Sequence, residues 1–177
     1  MKTRKMRWSI SPILVVLTLS ETLSDWSKAT AQEAVFVVSR IRAARFESKK
    51  FTDEEQKKAQ TLSRMLMDAY IDVSYAMDHS SPVQTAELVA KTLNIAVNKI
   101  SWNPAAIDDW VRRLPTEYAN QRVLVVTGGP GPMTGEGLRI LKGLGVSDKD
   151  IWSRRSDHLM VIVPRGGGEP LVIKMRW

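Results

Sequence analysis

The run RVLVVT, Arg122–Thr127, constrains this chain more than any other stretch. Four apolar residues in a row without alternation describe a strand covered on both faces, so the fold needs a layer on each side of a sheet. A loop rich in glycine and proline, GGPGPMTGEG, follows directly. Beyond it Thr134 is in place to cap a helix carrying Leu138, Leu141 and Leu144, which closes at Gly145. HLMVIV reads as a second strand of the buried type, PRGGGEP as a hairpin connection and LVIKMRW as a third strand. In the third, Leu171, Ile173, Met175 and Trp177 alternate with Val172, Lys174 and Arg176, which predicts one buried and one wet face. The unit is β-α-β-β, with its first two strands expected to be parallel through a right-handed crossover.

The half before it reads as helical. AVFVVSRIRAARF could open as a strand, but its Arg/Ala-rich continuation and the spacing Val37–Ile41–Ala44 favour a helix. Thr52 and Glu55 form a capping box. Ala59, Leu62, Leu66, Ala69, Val73 and Ala76 then follow at steps of three and four, which predicts a helix of about seven turns. HSSPVQ starts another, with Ser81 as cap, Pro82 in the first turn, Gln84 closing a second box, and Ala86, Ala90, Leu93, Val97 and Ile100 facing inward. A third is expected from Pro104 to Leu114, capped by Asn103 and stopped by Pro115, with Trp102 and Trp110 as packing anchors or, alternatively, as exposed contact residues. His79 reads as a residue at the carboxyl end of the long helix. The expected fold is therefore α+β. Antiparallel helices over residues 32–119 precede a small β-α-β-β unit with a mixed sheet over residues 120–177, packed on the helices.

The opening residues bear on compartment. MKTRKMRW is cationic and Ile10–Leu19 is mostly apolar, too short for a membrane span but long enough for the core of a secretory signal. Ala29-Thr30-Ala31 offers a small-x-small cleavage site before Gln32. Residues 1–31 are thus expected to be a signal peptide or an N-terminal anchor. The alternative is a retained helix starting at Ser11-Pro12, with Ile13, Val16, Leu17 and Leu23 as its buried face. The expected location is periplasmic or secreted, the alternative cytoplasmic, with membrane contact only through residues 10–19 if they are retained. The chain has no cysteine and two histidines far apart in sequence, so no metal site is expected, and no motif calls for a cofactor. The net charge of +7 is spread among acids without a long basic run, so nucleic acid is a weak prospect as partner.

The glycine loop could cradle a phosphate only by offering backbone N–H groups at a helix start. Pro130 and Pro132 remove two of them, Glu136 would repel an anion, and the spacing fits neither a Walker loop nor a dinucleotide fingerprint. VVTGGPGPM resembles the glycine-rich segment of the LOG-type nucleotide phosphoribohydrolases, which implies a Rossmann-like fold binding nucleoside monophosphates. VPRGGGEP echoes their second motif, which makes Glu169 the counterpart of the catalytic acid. The order strand, helix, GLGVSDKDIW, strand, terminal strand is similar to the later part of OmpA-like periplasmic domains. The aspartate and arginine of their peptidoglycan grip have no clear equivalent here.

WSRRSDH, with Trp152, Arg154 and Arg155, reads as a solvated loop whose residue types favour a protein contact. Together with Lys174, Arg176 and Trp177 on a terminal edge strand it forms the expected binding surface. The leading expectation is an exported, non-enzymatic component of the cell envelope, in a secretion, conjugation or pilus assembly, whose partners are other envelope proteins or a second copy of the chain. The alternative is a cytosolic nucleotide- or phosphate-binding enzyme using the loop 127–137, with Gly128, Gly129, Gly131 and Glu169. A weak nucleic-acid binder is a second alternative.

Overall fold

In the computed structural model, which describes residues 33–41, 51–129, 135–151, 158–165 and 168–176, strands and helices alternate. They are β1 Ala34–Ser39, α1 Asp53–Leu66, β2 Val73–Met77, α2 Ser80–Leu93, β3 Val97–Ile100, α3 Pro104–Glu117, β4 Arg122–Thr127, α4 Glu136–Gly143, β5 His158–Val163 and β6 Leu171–Arg176. The described residues form an α+β fold in which four helices accompany one mixed six-stranded sheet, ordered β3-β2-β4-β1-β5-β6.

The continuous apolar runs follow from this arrangement. In β1, Val35 and Val37 join a core with Ile107, Trp110, Val111 and Leu114 of α3 and Ile140 and Leu141 of α4. Ala34, Phe36 and Val38 turn to the other face, where Leu62 and Leu66 of α1 and Ala86 and Val89 of α2 lie. Both faces of the strand are buried, so no polar residue interrupts the run. β4 does the same, with Val123 and Val125 on one side and Leu124 and Val126 on the other.

The first half is not a helical array. Its apolar run Ala34–Ser39 is a strand paired in parallel with β4, from Ala34 beside Arg122 to Ser39 beside Thr127. The long predicted helix stops at Leu66. A single 3-10 turn, Met67–Ala69, follows, and Tyr70 then takes a left-handed conformation at φ 50. Val73–Met77 leaves as strand β2 between β3 and β4. Ala69, Val73 and Ala76 continue the helical spacing by coincidence, because a short strand with residues buried on both faces offers apolar side chains at more than one spacing. The second predicted helix likewise ends at Leu93, and Val97 and Ile100 belong to β3.

Local signals at helix starts fared unevenly. The capping box is present: Glu55 N donates to Thr52 Oγ1 at 3.2 Å and Thr52 N to Glu55 Oε2 at 2.7 Å. Asn103 caps α3 by accepting from Ala105 N at 2.9 Å. That helix runs on through Pro115 to Glu117. α2 has no side-chain cap, and its cap position is His79 rather than Ser81.

The β-α-β-β order after residue 120 is present, but not the expected pairing of its first two strands. β1 lies between β4 and β5, and β5 runs antiparallel to β1, with Val35 opposite Ile162 and Val38 opposite Leu159. β6 pairs with β5 antiparallel as the sheet edge. Its burial does not follow the expected alternation: Leu171 is 39% and Ile173 43% exposed. Val172 packs against one core and Met175, on the odd-numbered face, against the opposite one.

These registers bring the carboxyl ends of β1, β2 and β4 to one end of the sheet. The β5–β6 connection lies at the opposite end, since Val163 and Leu171 pair beyond the level of Val35. Residues 1–31, with the predicted signal segment and its cleavage site, lie outside the described residues. Among the described residues no helix is long and apolar enough to cross a membrane.

Candidate active site

Parallel strands that each leave into a separate element expose their carboxyl ends where adjacent chains diverge, and ligands of open sheets bind there. Here that edge holds a cavity of about 560 Å³, lined by Arg40, Asp78, His79, Trp102, Gly128, Gly129, Gly135 and Glu136. The volume falls within the range of small-molecule sites.

Each lining residue is placed by the end of an element. Arg40 directly follows β1, and its backbone N donates to Thr127 O of β4 at 3.0 Å. Ile41 N donates to Thr85 Oγ1 of α2 at 3.3 Å, so the turn carrying Arg40 is tied to both neighbours. The Arg40 Nε is buried and has no hydrogen-bond partner among the described residues. Asp78 and His79 join β2 to α2. Asp78 N donates to Ile100 O at 2.8 Å, and its carboxylate pairs with Lys99 at 3.2 Å. His79 N donates to Met77 O at 2.6 Å, a tight bend that sets the imidazole at the start of α2. Its Nδ1 is buried. No side chain caps α2, and the positive end of its dipole favours an anion at this wall.

Trp102, between β3 and α3, forms the aromatic wall. Its ring lies over Gly128 so closely that a Cβ there would come within 2.5 Å of Cη2. The same built Cβ would sit 3.7 Å from Glu136 Oε2, so the glycine at the end of β4 keeps room between an aromatic ring and a carboxylate. Glu136 opens α4 after Gly135, whose φ of 52 suits glycine. α4 is held to α3 by a bidentate pair, Arg139 Nε on Asp108 Oδ1 at 2.6 Å and Arg139 Nη2 on Asp108 Oδ2. Hydrogen bonding to that guanidinium holds the Asp108 carboxyl below the usual carboxylate range.

The arrangement offers a guanidinium, an imidazole and two carboxyl groups around one space. Such groups can hold an oxyanion, attack its central atom and move a proton to a leaving oxygen. Among the described residues no group of three or more acids or histidines is arranged to hold a metal ion.

The sequence-derived candidates divide. Gly128 and Gly129 line the cavity, and Gly131 lies outside the described residues. Glu169 is at the hairpin end of the sheet, paired with Lys149 at 3.2 Å, and does not meet the glycines. Lys174 pairs with Asp150 at 3.5 Å, and Arg176 Nε donates to His158 Nε2 at 3.3 Å. Trp152, Arg154, Arg155 and Trp177 lie outside the described residues. Sequence reasoning passed over Arg40 and Asp78, read Trp102 as a packing anchor, and set His79 at the wrong end of a helix. The missed signal was the strand nature of AVFVVS and VSYAM: a polar residue just after a buried strand marks the ligand edge.

No family model matches the sequence, and no curated protein matches it. The fold does have solved counterparts. A phosphoglycerate mutase from Plasmodium falciparum is 13% identical with a TM-score of 0.55, over 81% of this chain and 90% of that one. A mycobacterial glucosyl-3-phosphoglycerate phosphatase in complex with VO3 is 9% identical with a TM-score of 0.57, over 81% and 98%. A phosphoserine phosphatase from Entamoeba histolytica, in complex with 3-phosphoglyceric acid, is 10% identical with a TM-score of 0.54, over 79% and 94%.

The fold resembles that of the phosphoglycerate mutase-like phosphatases. This corrects the leading expectation of a non-enzymatic envelope component in a secretion or pilus assembly, because the three structures just named are two phosphatases and a mutase. The likenesses to LOG-type and OmpA-like proteins rested on a glycine string and an order of elements. Neither required β1 to lie between β4 and β5, which is what defines this sheet.

Proposed function

We propose that the chain is a phosphate-monoester hydrolase whose site is the cavity at the carboxyl ends of β1, β2 and β4. The observation that carries this reading is the convergence of Arg40, His79 and Glu136 on one space, in a fold shared with phosphatases. It takes up the enzymatic alternative of the sequence analysis, moves it from the loop and Glu169 to the strand ends, and goes with the cytoplasmic rather than the exported placement.

Arg40 grips the non-bridging oxygens, supported by the start of α2. The His79 imidazole attacks phosphorus as the ester P–O bond breaks, and the Glu136 carboxyl, acting as general acid, passes a proton to the departing oxygen. Water then attacks the phosphohistidine, Glu136 takes a proton from it, and phosphate and free imidazole are restored. Lys99 neutralises Asp78 at the rim, which lowers repulsion of the incoming anion.

The test is phosphate release from p-nitrophenyl phosphate by the purified chain, with acid quenching to trap a labelled protein. Acid-labile label lost in His79→Ala, together with a rate loss of about 100-fold or more, is the expected result. A second reading, an ester-binding protein without turnover, is favoured by the two carboxylates that offset the single guanidinium of the cavity. It predicts ester binding that depends on Arg40 with no phosphate released. A chain that neither binds nor hydrolyses phosphate esters would overturn both.

A further inference from the structure

The cavity is far larger than a bare phosphate needs, and one of its walls is a tryptophan, 44% exposed, among the large apolar side chains left open to solvent. Simple packing does not account for Trp102. Trp110, eight positions later, is 4% exposed within the α3 core and shows what an anchoring tryptophan looks like here. Trp102 instead lies against the backbone at Gly128, with its centroid 5.5 Å from that of His79 and the rings tilted by 52°. The Cζ3–Cη2 end of the indole is braced by a glycine whose missing Cβ leaves it room, and the tilted imidazole assigned the chemistry lies beside it. The exposed remainder of the indole borders the same space.

From this we infer that the organic part of the ester carries a planar aromatic ring, which stacks on Trp102 while the phosphate meets Arg40 and His79. The inference rests on the phosphate-ester reading and deepens it. A ring beside the phosphate, as in an aryl phosphate, and a ring one sugar away, as in a nucleoside monophosphate, share this chemistry. Stacking of a base on an aromatic side chain is sequence-tolerant and corresponds to roughly a five- to hundred-fold change in affinity on removal of the side chain.

Affinities of the full chain for p-nitrophenyl phosphate, AMP and ribose 5-phosphate, measured by calorimetry under conditions where turnover is negligible, test it. The ring-bearing esters are expected to bind at least five-fold tighter than ribose 5-phosphate. Trp102→Ala should erase that ratio while leaving ribose 5-phosphate within two-fold, and Trp102→Phe should restore part of it. Gly128→Ala, which pushes the indole away, should lower the ratio in the same sense. Preference for p-nitrophenyl phosphate alone assigns an aryl ester, and preference for AMP assigns a nucleotide. Ribose 5-phosphate bound as tightly as either, or an equal loss for all three esters in Trp102→Ala with an unchanged melting curve, overturns the aromatic assignment alone. Binding of none of the three removes the phosphate-ester reading beneath it.

Discussion

The two histidines of this chain sit at the same end of one sheet and have opposite surroundings. His79 follows a parallel strand and lines a cavity; His158 opens an antiparallel strand, is 1% exposed and accepts from Arg176. The difference lies in how the neighbouring strands are connected. β1, β2 and β4 each depart at the level of the cavity toward a different element, so their ends diverge and leave space. β5 and β6 are joined by a hairpin at the far end, and here their ends pair, Arg176 beside His158, and close on each other. Parallel connection opens a site where antiparallel connection fills one.

The sharpest way to break the comparison is to exchange the roles of the two imidazoles. His79→Ala should lower phosphate release by about 100- to 10,000-fold with little change in melting temperature. His158→Ala should act mainly on stability, costing about 1–3 kcal/mol by removing the acceptor of a partly buried hydrogen bond. Steady-state rates and urea melts on both variants decide it; a His158 variant that loses activity at full stability would erase the distinction.

The next effect concerns cover. Leu124→Ala in β4, fully buried beneath α1 and α2, should cost about 2–5 kcal/mol. Ile173→Ala on the β6 edge should cost well under that, about 1 kcal/mol or less, since its side chain is already half in water. Equal losses in denaturant melts would mean that the antiparallel edge is covered in solution.

The smallest expected effect is electrostatic. The Asp108 carboxyl is held below its ordinary value by Arg139, so the folded state favours the ionised form. Whatever the pair contributes is present above the unfolded carboxyl's pKa, about 4, and is lost as pH falls through the lower folded value. A carboxyl NMR titration should show the Asp108 midpoint rising toward the ordinary value in Arg139→Gln. An unmoved midpoint would detach α4, and Glu136 with it, from this anchoring.

Much of the second half was legible because its strands are short runs rich in apolar, β-branched residues bounded by turn signals. RVLVVT, HLMVIV and LVIKMR each announce themselves within six residues. The first half was misread where two periodicities coincide. Ala69, Val73 and Ala76 satisfy a helical step, and only the left-handed Tyr70 and the pairing of Val73–Met77 with two neighbouring strands resolve them as turn and strand. Of the residues lining the cavity, only the glycines after β4 were singled out, as an alternative phosphate loop. Arg40, Asp78 and Trp102 were not, since each is ordinary in its own sequence neighbourhood.

By itself the sequence determined that Arg122–Thr127 and His158–Val163 must be hidden on both sides and where α1 and α3 begin, because burial and capping act over a few residues. Only the tertiary structure decided that β1 inserts between β4 and β5, and so that Arg40, His79, Trp102 and Glu136 share one cavity. Strand order is chosen by contacts between segments tens of residues apart, and no local pattern encodes them.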